Sequence, residues 1–272
     1  MEVRNWQYLE GDCLVKIFQK VGIEAMMKAV PFVCKSWYKT SLDPLCWTYL
    51  YFAYELPTEA IEMLIDRSCG NAIDVFFEQD LCFDDFIYIS ERCPKVNVVR
   101  LPKCLNWCYC SYKSRCDCKE KEKKIVPTVV RNWKNLQHLI IDTSFYFKRI
   151  INEVATHCKN LETLQVSCTV KVEISLKEVS VITSSLPRIK VLILGKGTEI
   201  PRECLLTLLS GCKELIRVDV RECFGFDADD EEILKMASHI KVFMAEGSKR
   251  QTGSMGLDLE QLFSLPGAIA EI

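Results

Sequence analysis

Between Cys69 and Glu246 the chain keeps one internal ruler, and few folds can satisfy it. After Cys93, apolar residues stand three, six and eight positions on, at Val96, Val99 and Leu101. The same offsets give Leu136, Leu139 and Ile141 after Trp133, and Leu161, Leu164 and Val166 after Cys158. They give Ile189, Leu192 and Leu194 after Leu186, and Leu215, Val218 and Val220 after Cys212. Looser copies follow Cys69 (Ala72, Val75, Phe77) and Ala237 (Ile240, Phe243, Ala245). Successive anchors lie 24, 40, 25, 28, 26 and 25 residues apart, so one insertion interrupts an otherwise even period. Apolar residues two apart at the end of each copy describe a short strand with one buried face. Helix-like stretches fill the intervals, at 83–92, 148–157, 176–184, 203–210 and 229–236. One strand and one helix cannot bury their apolar faces alone. Stacked in phase, such units share a continuous core and form a curved solenoid.

A strand and a helix every ~25 residues resembles the leucine-rich repeat over 57–246. Cysteines just after several strands (Cys104, Cys168, Cys223) resemble the cysteine-containing subclass of that repeat. Alternation within the strands turns one set of side chains toward the open, concave face. That set is Val98 and Arg100; His138, Ile140 and Asp142; Thr163, Gln165 and Ser167; Val191 and Ile193; then Arg217, Asp219 and Arg221. Arg100, His138, Ile140, Asp142, Gln165, Ile193, Arg217, Asp219 and Arg221 are the candidate target-binding residues. The alternative is a solvated face, with recognition left to loops or to the tail.

The first fifty residues follow another pattern. Leu14, Ile17, Phe18 and Val21 make one apolar stripe of a helix expected over about 12–20, stopped by Gly22. A second short helix is expected over 24–30. Pro31 suits the first turn of a third, which carries Phe32, Val33, Cys34 and Trp37 and ends before Pro44. Three such helices make too small a core to hide all of this apolar surface.

Leu9, the run Asp12-Cys13-Leu14-Val15-Lys16-Ile17-Phe18, the run Val33-Cys34-Lys35-Ser36-Trp37, and then Asp43-Pro44 and Trp47 resemble an F-box in order, spacing and residue type. One position departs: Glu10 stands where the family usually has proline. The resemblance implies docking on the Skp adaptor of a cullin-based ubiquitin ligase. By motif position it implies adaptor-binding roles for Leu9, Leu14, Ile17, Phe18, Val33, Cys34, Trp37, Pro44 and Trp47, some of which must instead fill the module's own core. The expected architecture is α/β: a three-helix F-box over 1–50, a leucine-rich-repeat solenoid over 57–246, and a tail over 247–272.

Composition agrees with a protein-binding chain. The net charge of −2 over 272 residues gives no general basic surplus for nucleic acid. No apolar run approaches the ~18 residues of a membrane span. The start, Met1-Glu2-Val3-Arg4, lacks the design of a signal peptide, so the expected location is the nucleus, the cytoplasm or both. Sixteen cysteines then read mostly as small packed hydrophobes, above all at the anchors. His138, His157 and His239 fall in no catalytic or metal-ligand spacing, and Gly195-Lys-Gly-Thr198 reads as a turn after a strand.

The insertion over 102–126 is read as a polar surface loop. It holds Cys108, Cys110, Cys116 and Cys118, whose two Cys-x-Cys pairs could offer four thiolates to zinc. Their spacing within each pair is tighter than usual for zinc, and a plain or oxidation-prone loop is the competing reading; no cofactor is expected. The tail opens on a turn-rich, loose stretch, and Leu257, Leu259, Leu262, Phe263 and Leu265 could cap the solenoid's end. Taken together, the expectation is a non-catalytic subunit whose F-box meets a Skp-type adaptor, and through it cullin, while the repeats hold a target. A non-degradative scaffold and a cysteine-loop metal sensor are the rivals.

Overall fold

The computed structural model describes residues 6–52, 56–78, 81, 83–101, 118–141, 147–166 and 173–250, with the backbone alone for Gln7 and 118–123. Eight parallel strands form one sheet in chain order: β1 (Tyr49–Phe52), β2 (Asp74–Phe77), β3 (Val98–Arg100), β4 (His138–Ile141), β5 (Thr163–Val166), β6 (Val191–Leu194), β7 (Arg217–Asp219) and β8 (Val242–Met244). Each returns beside its predecessor through a helix, which is how the solenoid winds. These helices are α4 (Thr58–Ser68), α5 (Phe83–Arg92), α6 (Cys118–Asn132), α7 (Phe147–His157), α8 (Leu176–Ser185), α9 (Arg202–Gly211) and α10 (Glu231–Met236). Three more, α1 (Gly11–Phe18), α2 (Gly22–Lys28) and α3 (Lys35–Ser41), precede β1.

The ruler sets the register. Leu50, Val75, Val99, Leu139, Leu164, Leu192, Val218 and Phe243 stand opposite one another across all eight strands. All but the half-buried Phe243 are sealed from solvent and pack toward the helices. Burying a Leu or Val side chain is worth about 1.5–3 kcal/mol, so a one-residue slip that turned this row to solvent would be prohibitive. A second ladder runs along the last repeats, through Glu173, Glu199, Phe224 and Lys249. Beside it Gly225 (φ +106) lies so near the neighbouring turn that a Cβ would strike the Ile200 carbonyl oxygen.

Several expectations are corrected. The sheet starts inside the first fifty residues: Trp47, Leu50 and Phe52 stand three, six and eight after Pro44, so the same ruler already runs there. All three side chains are buried. The third helix starts at Lys35, with Pro31 in a separate 3-10 turn (Val30–Phe32). Gly22, at φ +80, is the first residue of α2 and not the stop of α1, which already ends at Phe18 with Gln19 as its C-cap. The charged end of the insertion is not loop but α6, whose Val126, Val129 and Val130 face the core. Residues 247–250 belong to the solenoid: Ser248 is buried, and its hydroxyl donates to the Val220 carbonyl (2.6 Å) while accepting from the Cys223 N–H (3.0 Å). The apolar patch at 257–265 lies outside the described residues.

The anchor thiols are packed as expected, with one exception. Cys93, Cys158 and Cys212 are buried. Burial pushes the first two up to about 12 and the third to about 11, so all stay protonated. Cys158 donates to the Trp133 carbonyl at 3.3 Å. Cys69 is instead exposed in a left-handed turn (φ 45), because Ser68 takes the buried anchor place.

Candidate functional site

Two surfaces are available for function, one at the N-terminal module and one on the sheet. In the module, Leu14 and Phe18 of α1 point inward with Trp47. Trp37 sets its ring edge-on to Phe18, with centroids 5.2 Å apart, and donates from Nε1 to the Trp6 carbonyl (3.3 Å). Trp47 donates from Nε1 to the Ser41 carbonyl (2.9 Å), and the Arg67 guanidinium of α4 lies 5.2 Å from its ring centre. Asp43 caps the 3-10 turn Pro44–Trp47 by accepting from the Leu45 N–H at 2.8 Å. The motif's Asp-Pro and tryptophans therefore build the module's interior and its seam with the repeats.

This divides the nine candidate adaptor-binding residues. Leu14, Phe18 and Trp47 are buried in the core; Leu9, Ile17, Cys34, Trp37 and Pro44 are half-buried; Val33 is 57% exposed. Sequence reasoning missed Tyr8 and Phe32, both 78% exposed, together with Tyr38, Leu42 and Leu45. Residue type cannot separate Phe32 from Phe18. Only the break between the 3-10 turn and α3, which throws Phe32 and Val33 outward, does so.

On the sheet, the outward rows are those read from the alternation. One row runs Tyr49, Asp74, Val98, His138, Thr163, Val191, Arg217, Val242; the other runs Tyr51, Phe76, Arg100, Ile140, Gln165, Ile193, Asp219, Met244. Ile140 and Asp219 are buried within this face, so they support it more than they present themselves. Arg100 pairs with Glu78. Asp219 receives both Nε (2.8 Å) and Nη2 (2.6 Å) of Arg221, and these bonds hold its carboxyl below the usual range. Burial favours neutral His138, against a weaker pull from Gln165; its Nε2 is enclosed without a hydrogen-bond partner of normal geometry. Tyr49 and Tyr51 were missed because the first strand lies in sequence assigned to the helical module, and Asp74 and Phe76 because the outward set was taken only from Val98 onward, leaving out the looser copy after Cys69.

Asp142, Ser167, Cys108, Cys110 and Cys116 lie outside the described residues, and Cys118 is described only as the start of α6. Among the described residues no group of His, Cys, Asp and Glu is arranged for a metal, and no helix is long and apolar enough to cross a membrane.

No family model matches the chain. An F-box/LRR-repeat protein of Arabidopsis thaliana is 25% identical over 78% of this chain and 70% of its own length. An F-box protein of the same plant, FBW2, is 22% identical over 89% of this chain and 75% of its own. Over most of its length the chain is similar to plant F-box/leucine-rich-repeat proteins. A further Arabidopsis F-box/LRR-repeat protein is 22% identical over 83% of this chain, which spans only half of that relative's length. Among solved structures, an internalin of Listeria monocytogenes matches 76% of this chain and 68% of its own, at 11% identity and a TM-score of 0.33. The strands and helices above establish the solenoid without that likeness.

Proposed function

We propose that this F-box/repeat chain is the substrate-recognition subunit of a Skp–cullin ubiquitin ligase, docking its N-terminal module on the Skp-type adaptor and holding a target on the concave sheet face. The observation that carries the reading is the apolar surface the module leaves uncovered. Tyr8, Phe32, Val33, Tyr38, Leu42 and Leu45 are all at least 46% exposed, within one small three-helix unit whose core is already filled. Clustered exposure of this kind marks a protein-binding surface. The chain's own work is then proximity: a target lysine held beside a charged conjugating enzyme reacts quasi-intramolecularly, and bond-making belongs to the partners. It acts in the nucleus, the cytoplasm or both.

The test is retention of the full chain by immobilised Skp-type adaptor. Phe32→Asp with Val33→Asp changes only exposed side chains, so the helical signal should survive. Losing two central apolar contacts at an interface costs about 2 kcal/mol or more, and retention should fall at least ~30-fold. Failure of the wild-type chain to be retained sinks the proposal, as does undiminished binding of the double variant.

A further inference from the structure

We infer that the concave face carries, at the end nearest the N-terminal module, a seat for one basic side chain of the target, built from Tyr49, Tyr51, Asp74 and Phe76. The inference rests on the concave-face reading above and gives it a chemistry. Strands β1 and β2 turn Leu50, Phe52, Val75 and Phe77 into the core, which leaves these four on the opposite face. Tyr49 stands opposite Asp74, and Tyr51 opposite Phe76. They therefore form a two-by-two block on strands roughly 4.8 Å apart. The Tyr51 and Phe76 rings lie 6.2 Å apart and tilted, and both tyrosines keep about half their surface in solvent.

Asp74 decides the chemistry. Among the described residues the other acids of this face are engaged: Glu78 with Arg100, and Asp219 with Arg221. Asp74 is half-buried and has no ion pair or hydrogen bond from its carboxylate among the described residues; burial alone perturbs it, raising its pKa. A half-buried carboxylate beside aromatic rings favours a cation, which gains a charge-assisted bond and the negative ring faces together. An anionic or purely apolar occupant would leave the carboxylate desolvated and uncompensated. The occupant is a lysine or arginine side chain on an extended segment of the target protein.

The test presents full-length chain with a bead-displayed library of random decapeptides. Wild type should enrich Lys or Arg at one position. Asp74→Asn and Tyr51→Leu should lose that preference while keeping the wild-type melting temperature. On the best enriched peptide, Asp74→Asn and replacement of the basic residue by Gln should each weaken binding about tenfold, the scale of one charge-assisted contact. Made together they should still weaken it about tenfold, because both remove the same interaction. Additive losses, or selection that ignores charge, overturn the seat. Peptides indifferent to Asp74 and Tyr51 but released by Arg217→Glu overturn the seat and leave concave-face capture standing. A chain that enriches nothing overturns both.

Discussion

Glu10 stands where the F-box pattern usually has proline, and it holds the backbone that proline would impose. Its φ of −56 and ψ of 143 lie where a proline ring locks the chain, and among the described residues its N–H donates no backbone hydrogen bond. Its carbonyl meanwhile accepts from the N–H groups of Cys13 and Leu14, at 3.0 Å each, and starts α1. Glu10→Pro should therefore stabilise the module by restricting the unfolded chain, by about 0.4–1 kcal/mol. In a chain of this size that is a rise of roughly 1–4 °C in melting temperature, read by calorimetry. A fall would mean that the ring clashes with Leu9 or that the N–H is needed. The motif's odd residue is thus a change of side chain on a backbone that proline would also adopt.

At the scale of elements, a bolt across the last two repeats makes a prediction with a definite pH window. Asp230 caps α10, accepting from the N–H groups of Glu232 (3.1 Å) and Ile233 (3.2 Å). It also takes Arg202 Nε of α9 at 2.6 Å and Arg250 Nη2 from the chain after β8 at 3.3 Å. The hydrogen bonds from Arg202 do most to hold its carboxyl far below the usual range. A depressed carboxyl stabilises the fold above the unfolded value of about 4, and that stability is lost as pH falls toward the folded value. Asp230→Asn keeps the cap but removes the charge. It should lower the melting temperature at pH 7, with the gap to wild type closing between pH ~4 and 2. Parallel curves down to pH 2 would refute the bolt.

The elements also show how far the sequence could be read. Strands β2 to β8 and α5, α7, α8, α9 and α10 were legible because period-2 and helical stripes alternate at a fixed interval. Helix α6 was hidden because Lys119–Lys124 carries no apolar stripe; only Ile125, Val126, Val129, Val130 and Trp133 show one, beside Pro127. Strand β1 was hidden for the opposite reason. Trp47 satisfies the F-box pattern and the repeat ruler at once, and Leu50 falls within the 1–50 module, so neither residue marks a strand by itself. The nine motif residues located the docking module, yet which of them stay exposed depends on a turn at 30–34 that residue types do not spell out.

At the scale of the whole molecule, one apolar cluster runs unbroken among the described residues from Leu14 of α1 to Ala245 after β8. Ile23 and Met26 of α2 and Val30 belong to it, and α2 packs against β1. The N-terminal module is therefore the solenoid's N-terminal cap, covering an end that a repeat array would otherwise expose. Deleting residues 1–48 should leave a chain that binds hydrophobic dyes, melts earlier and is recovered poorly in soluble form. A truncated chain that is soluble and melts as the full one does would show that the repeats cap themselves.

The seam at Thr48 has a consequence for inheritance. The Thr48 carbonyl receives the N–H groups of Ile73 (2.8 Å) and Asp74 (3.3 Å), so the first repeat is hydrogen-bonded to the docking module's last residues. A chimera joined between Trp47 and Tyr49 would separate side chains that fill one hydrophobic layer. One joined just before Thr58 keeps that layer whole, but carries Tyr49 and Tyr51 away with the module and leaves Asp74 and Phe76 behind. The first join keeps the four side chains of the proposed seat together at the cost of the core, and the second keeps the core at the cost of the seat, so no join near this seam transfers the repeats with both intact.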